Sequence, residues 1–277
     1  MTTVAAVLVT RDAGRWLPAL LDSVAGQTRP VDRLVVVDDG STDDTVTLLE
    51  AAGAEVLPAA SGATDRTTRI AQNFVRGVRA CAASAVDVVV LGDHDDVWHA
   101  DRVEHQVAAL AGSGPTSMVA SDGRLVDGTG VPTGGTLRTA FPLPAGWELL
   151  TPAARMAAAL RVSVATGGAS ALDVAAFPSL DVPAGWLHDR WWSLVALARD
   201  GFVVDDAAVI DYRVQADQQV GLDRAAQGGG GLARVRALVR DGGRSWSKAR
   251  DLRTRLRPIA ATGDIAAAIT VRNVLGR

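Results

Sequence analysis

The chain has 277 residues, 28 Lys+Arg against 31 Asp+Glu for a formal net charge of −3, 48% hydrophobic residues and one cysteine, Cys81. This is the balance of a globular chain long enough to bury a sizeable core. It excludes an internal disulfide framework, a multi-cysteine zinc site and, with no run near about 18 apolar residues, a bilayer-spanning helix.

Charge is unevenly spread. Residues 1–221 carry 16 Lys+Arg and 27 Asp+Glu, a balance of −11; residues 222–277 carry 12 and 4, a balance of +8. The start of the chain lacks a basic segment ahead of its apolar run, so no secretory signal is expected and a cytoplasmic location is the default.

The first half alternates strands and helices. Val4 to Val9 is a continuous apolar run that reads as a buried strand. Trp16 to Ala25 has helical spacing, with Pro18 near its start. Arg33 to Val37 is a second strand. Asp43 to Ala52 is a helix headed by the capping residues Ser41 to Asp44. A short strand over Ala54 to Leu57, a helix over Thr67 to Ala82 and a strand over Asp87 to Leu91 follow. This order predicts a mostly parallel sheet with helices on both faces.

Beyond Leu91 the pattern loosens. Ser117 to Ala120 reads as a strand, and the Gly-, Thr- and Pro-rich stretch from Gly123 to Gly146 as an irregular loop. Helices are predicted over Glu148 to Leu160 and His188 to Arg199, and short strands over Phe202 to Val204 and Ala208 to Tyr212. A glycine hinge at Gln227 to Gly231 precedes a basic helical stretch from Leu232 to Arg257. A single main domain over 1–221 with a basic helical C-terminal extension over 222–277 is therefore expected.

In an open parallel sheet, ligands bind at the carboxyl ends of the strands. Here those ends carry carboxylates: Asp38 and Asp39 after the second strand, Asp93, Asp95 and Asp96 after the fourth. Such clusters repel unless a cation or hydrogen-bond donors lie between them. Oxygen-only donors suit Mg2+ or Mn2+, with substrate phosphates completing the shell. A G-x-G-x-x-G turn after the first strand and a P-loop are both absent. Asp43 and Asp44 are expected only to cap a helix. His94, His99 and His105 lack zinc spacing, and no nucleic-acid partner is expected.

The residues VAAVLVTRDAGRWLPALLDSVAGQTRPVDRLVVVDDGSTDDT resemble the opening of glycosyltransferase family 2, which has the GT-A fold of nucleotide-diphospho-sugar transferases. LGDHDDVW resembles that family's D-x-D metal-binding turn in its rhamnosyltransferase-like form. HDRWW and IDYRVQADQQVG resemble two later segments of the same subgroup. The resemblance covers roughly residues 3–221.

It implies an inverting, metal-dependent transfer of a sugar from a nucleotide-sugar donor, a UDP-sugar or dTDP-rhamnose, to a glycan, glycolipid or small-molecule acceptor. Thr10 and Arg11 would line the nucleoside pocket, and Asp39 would accept a hydrogen bond from a pyrimidine base. Asp93 would touch the ribose or donor sugar, and Asp95, with Asp93 beside it, would hold Mg2+ or Mn2+. Asp189 would be the general base. Gly167 and Gly168 would approach the donor sugar, with His188, Trp191 and Arg213 around donor and acceptor. Trp186, Trp191 and Trp192 read first as core packing, where large aromatics mostly lie, and only second as acceptor contacts.

Gln215 stands where the family often carries a histidine. That departure keeps open the alternative of a nucleotide-sugar-binding regulator without catalysis. The basic extension would dock on the acidic domain, form a homodimer contact or approach the inner face of an anionic membrane.

Overall fold

The computed structural model describes residues 2–59, 62, 63, 65–112, 117–214, 248–270 and 273. Strands β1 (Val4–Thr10), β2 (Arg33–Asp38), β3 (Glu55–Pro58) and β4 (Val88–Asp93) alternate with helices α1 (Leu17–Ala25), α2 (Thr45–Ala51) and α3 (Arg66–Ala83). Then come β5 (Val97–Trp98), α4 (Arg102–Ala111), β6 (Met118–Val126), β7 (Pro132–Thr136) and α5 (Leu137–Ala140). After them are α6 (Pro152–Ala159), β8 (Ser170–Asp173), α7 (His188–Ala198), β9 (Phe202–Arg213) and α8 (Gly263–Ala268).

The strands form one sheet in the order β3-β2-β1-β4-β8-β6-β9-β5, with β7 paired to β6. The predicted parallel half is present: β1 pairs parallel with β2 and β4, and β2 with β3. The other half is mixed. β8 runs antiparallel to β4 and β6, β7 to β6 and β5 to β9, while β6 and β9 are parallel. The expected sheet, mostly parallel and flanked by helices, is present, and its second half adds short antiparallel pairings.

Alternation along β1 sends its side chains to two cores. Ala5 and Val7 join α3, α6 and α7 on one face. Val4, Ala6 and Leu8 join α1 and α4 on the other. Trp147, Trp186, Trp191 and Trp192 all lie in the first core, as do Leu252, Leu256, Ile265 and Ile269. The described part of the C-terminal stretch therefore packs its apolar side chains onto the domain.

Three expectations change. Gly123 to Gly146 is not one irregular loop: β6 runs on to Val126, returns as β7 and enters α5 under a Thr136–Thr139 capping box. The two short strands after residue 201 are one strand, β9. The helix over Glu148 to Leu160 is split into a 3-10 turn, Trp147–Leu149, and α6, which Thr151 caps. Residues 215–247, including Gln215, the glycine hinge and the first part of the basic stretch, lie outside the described residues.

Candidate active site

The C-terminal ends of β1, β2 and β4 lie side by side, with Thr10 opposite Asp38 and Val9 opposite Asp93. At the end of β2 the Asp38 carboxylate closes a tight turn, accepting from the Gly40 and Ser41 N–H groups and the Ser41 hydroxyl. Gly40 sits at φ +79°, where a side chain would be strained. Thr10 Oγ1 donates to Asp38 at 3.0 Å, so Thr10 braces this turn.

The turn directs Asp39 toward α3, with its backbone N–H donating to Thr10 O at 2.8 Å. Its carboxylate meets Arg69 Nε at 2.8 Å and Arg11 Nη1 at 3.6 Å. Arg69 comes from the first turn of α3, which Asp65 caps, and the sequence reading missed it.

The turn after β4 brings three carboxylates together. Asp95 and Asp96 are buried and Asp93 is half-buried. Burial and the neighbouring carboxylate charges push Asp93 up to about 7 and Asp96 well above the ordinary carboxylate range. Asp96 Oδ1 accepts the Arg213 N–H at 3.1 Å, while Oδ2 has no partner among the described residues. Asp96 was visible in the acidic cluster, but its deep placement was not expected.

The 3-10 turn Gly167–Ala169 closes over these groups. A β-carbon at Gly168 would lie 2.8 Å from Asp96 Oδ2 and 2.9 Å from Asp93 Oδ2. One at Gly167 would lie 2.5 Å from His188 Nε2. Glycine is therefore a requirement of space at both positions. The Gly167 N–H donates to Asp189 Oδ2 at 3.2 Å, and the other oxygen of Asp189 accepts the Arg190 N–H at 2.6 Å. Asp189, in the first turn of α7, is thus joined by one glycine turn to the acidic cluster.

Three expected contacts have different surroundings. Trp191 is buried against Trp186, with ring centroids 5.4 Å apart, which matches the core-packing reading. His188 is buried, stacked 3.8 Å from Phe74, and neither ring nitrogen has a partner among the described residues. Burial pulls it down to about 4, so it is a neutral imidazole under the glycine turn. Arg213 is buried, donates to the backbone carbonyls of Asp95, Asp127 and Gly128, and lies 4.5 Å from the Trp16 ring. It braces the acidic turn from behind.

Among the described residues, no group of three His, Cys, Asp or Glu side chains is arranged to hold a metal. One or two carboxylates plus substrate oxygens is the donor set Mg2+ prefers. The unpartnered Asp96 oxygen and the raised pKa of Asp93 mark a cluster in excess of negative charge, which a cation suits.

Residues 6–176, more than half of the chain, match the model of glycosyl transferase family 2, and the chain belongs to that family. It is a glycosyltransferase with a GT-A fold. Among solved structures it resembles glucosyl-3-phosphoglycerate synthase from Mycobacterium tuberculosis in complex with Mn2+, UDP and glucosyl-3-phosphoglycerate. That match has 22% identity and a TM-score of 0.52, over 81% of this chain and 75% of the synthase. It also resembles S. aureus TarS, at 19% identity and a TM-score of 0.54, over 77% of this chain and 37% of TarS. At these identities the likeness is one of fold. Among curated proteins the chain has no match. No helix among the described residues is long and apolar enough to cross a membrane.

Proposed function

We propose that this glycosyltransferase moves a sugar from a pyrimidine nucleoside diphosphate donor, a UDP-sugar or dTDP-rhamnose, to a hydroxyl of a glycan, glycolipid or small-molecule acceptor. The transfer inverts the anomeric centre and uses Mg2+ or Mn2+ held by Asp95 and Asp93. The observation that carries this reading is the apposition of three groups: the carboxylates after β4, the glycine turn against them, and Asp189 fastened to that turn by the Gly167 N–H. The Mn2+, UDP-glucose and phosphoglyceric acid named with the mycobacterial synthase support a donor, acceptor and metal of these kinds.

Each residue then has a task. Asp39, steadied by Arg69, accepts from the base, and Thr10 and Arg11 border the nucleoside. Asp95 and Asp93 would hold the divalent cation, which would supply Lewis-acid stabilisation of the departing diphosphate. Asp189 takes the proton of the acceptor hydroxyl as the acceptor oxygen bonds to the anomeric carbon. The bond from that carbon to the diphosphate oxygen breaks on the opposite face, so the configuration inverts. The backbone donors on its two oxygens hold Asp189 in one orientation.

The exposed Arg250, Arg253, Arg255 and Arg257 favour an acceptor presented at an anionic membrane face, since each basic residue near such a surface contributes about 1 kcal/mol. The main reading is tested by release of nucleoside diphosphate from UDP-sugars and dTDP-rhamnose with Mg2+ or Mn2+. Asp95→Ala should abolish turnover with the melting temperature unchanged. Full turnover in EDTA overturns the metal assignment.

A further inference from the structure

α4 turns a polar stripe inward, directly behind the acidic turn. Arg102 is fully buried. Its Nη2 donates to Leu91 O at 2.5 Å and its Nε to Gln106 Oε1 at 3.2 Å, and its guanidinium lies 4.0 Å from the Trp98 ring centroid. Gln106 is equally buried and passes its amide N–H groups to Ala169 O at 2.9 Å and Ser121 Oγ at 3.2 Å. Two side chains one helical turn apart thus tie β4, which carries Asp93, to the glycine turn that covers it.

A buried guanidinium is unfavourable unless opposite charge compensates it. Burial pulls Arg102 down to about 9, against the charges of Asp96 and Asp93, which favour its protonated form. Its Nη1 and Asp96 Oδ2 both lack a hydrogen-bond partner among the described residues. The cation therefore meets the carboxylates through charge, while its remaining bonds fix where it stands.

We infer that Arg102 is a positioning residue: a built-in counter-charge that keeps the Asp93–Asp96 turn assembled before a divalent cation arrives, and that then shares those carboxylates with it. This rests on the metal reading of the turn. A cation of the protein's own pre-organises the site, because the carboxylates need not be driven together when donor and metal bind. It also moderates metal binding, because part of the negative charge is already answered.

The experiment is the melting temperature of the full-length protein with and without Mn2+ alone, in wild type, Arg102→Met and Arg102→Lys. Arg102→Met should lower the metal-free melting temperature. It should also enlarge the Mn2+-induced rise by about 2–4 °C or more over wild type, the scale expected for coupled neighbours in a chain of this size. Arg102→Lys, which keeps the charge, should return the rise to the wild-type size. An Arg102→Met protein that melts equally lower with and without Mn2+ shows a packing role and overturns the inference.

If wild type shows no Mn2+ shift, either with Mn2+ alone or with UDP added, the metal reading fails. The counter-charge role is then decided by the Arg102→Met/Asp96→Asn double variant, as it also is if Arg102→Met does not fold. Recovery of stability in the double variant supports the inference; no recovery overturns it.

Discussion

Gly168→Ala tests whether the glycine turn sets the positions of the carboxylates. The added methyl would lie 2.8 Å from Asp96 Oδ2 and 2.9 Å from Asp93 Oδ2, and ordinary contact requires it to move away by about 0.5 Å or more. Asp96 cannot swing aside without losing the Arg213 N–H bond at 3.1 Å, and it is buried on all sides. The displacement must therefore pass to the Asp93 carboxylate or to the turn itself, and through Gly167 N–H to Asp189. A misplacement of about 1 Å costs about 10²-fold in rate, so half of that predicts roughly a tenfold fall in kcat/KM. Overpacking of this kind costs about 1–3 kcal/mol of stability, or about 2–4 °C for each kcal/mol. The assay is nucleoside diphosphate release beside a melting curve, with Gly263→Ala as control, because a β-carbon there meets no atom within 4 Å. Wild-type kcat/KM in Gly168→Ala would refute the claim that this turn positions the carboxylates.

Asp189→Asn should leave donor affinity nearly unchanged and lower kcat by at least about 10²-fold, the usual worth of a positioned base; transfer at near wild-type rate would assign the proton to another group. His188 is held at about 4 in the fold against 6.5 for the free side chain. Its neutral form therefore supports the fold above about pH 6.5, and that support drains as pH falls from 6.5 to 4, by about 3 kcal/mol in all. Melting curves over that range should fall more steeply for wild type than for His188→Leu, and parallel curves would remove His188 from the acid sensitivity. Vesicles of anionic lipid should pull the protein down at low salt and less at high salt, as screening requires, and Arg253→Glu/Arg257→Glu should weaken that binding; indifference to vesicles at every salt concentration ends the membrane reading.

The parallel half of the fold was legible because each of its strands is one local apolar run and each intervening helix carries its own start signal. The half beyond β4 depends on partners remote in sequence. β9 reads as two strands because Asp205, Asp206 and Ala207 interrupt its apolar residues. In the fold the register jumps there, from Ala120 opposite Val204 to Asp122 opposite Ala208. The extra residues bulge, and Asp205 meets His105 at 2.8 Å. Gly123 likewise looked like a loop residue, yet it lies in β6 where a β-carbon would be 2.7 Å from the Ile210 side chain. Close approach across the sheet, not a turn, selects glycine at that position.

The same contrast separates the parts of the site. Asp39, Asp93, Asp95, Gly167, Gly168 and Asp189 stand in compact motifs, and each motif can be read within a few residues. Arg69 reaches Asp39, and Arg102 faces Asp93 and Asp96, from helices whose sequences announce nothing of the kind. α4 is the sharper case. Its buried positions are Arg102, Val103, Gln106, Val107 and Leu110, a regular helical stripe in space. Two of those five are polar, so the hydrophobic period that would have revealed the helix is broken by its most buried residues. A helix can accept that only where its inward polar groups meet compensating partners, because unpaired burial is unfavourable. The bonds to Leu91 O, Ser121 Oγ and Ala169 O supply most of those partners, and the carboxylates after β4 supply the opposing charge. The residues that hide α4 from the sequence are thus those that bind it to the site, and the illegibility of the helix and its place behind the acidic turn have one physical cause.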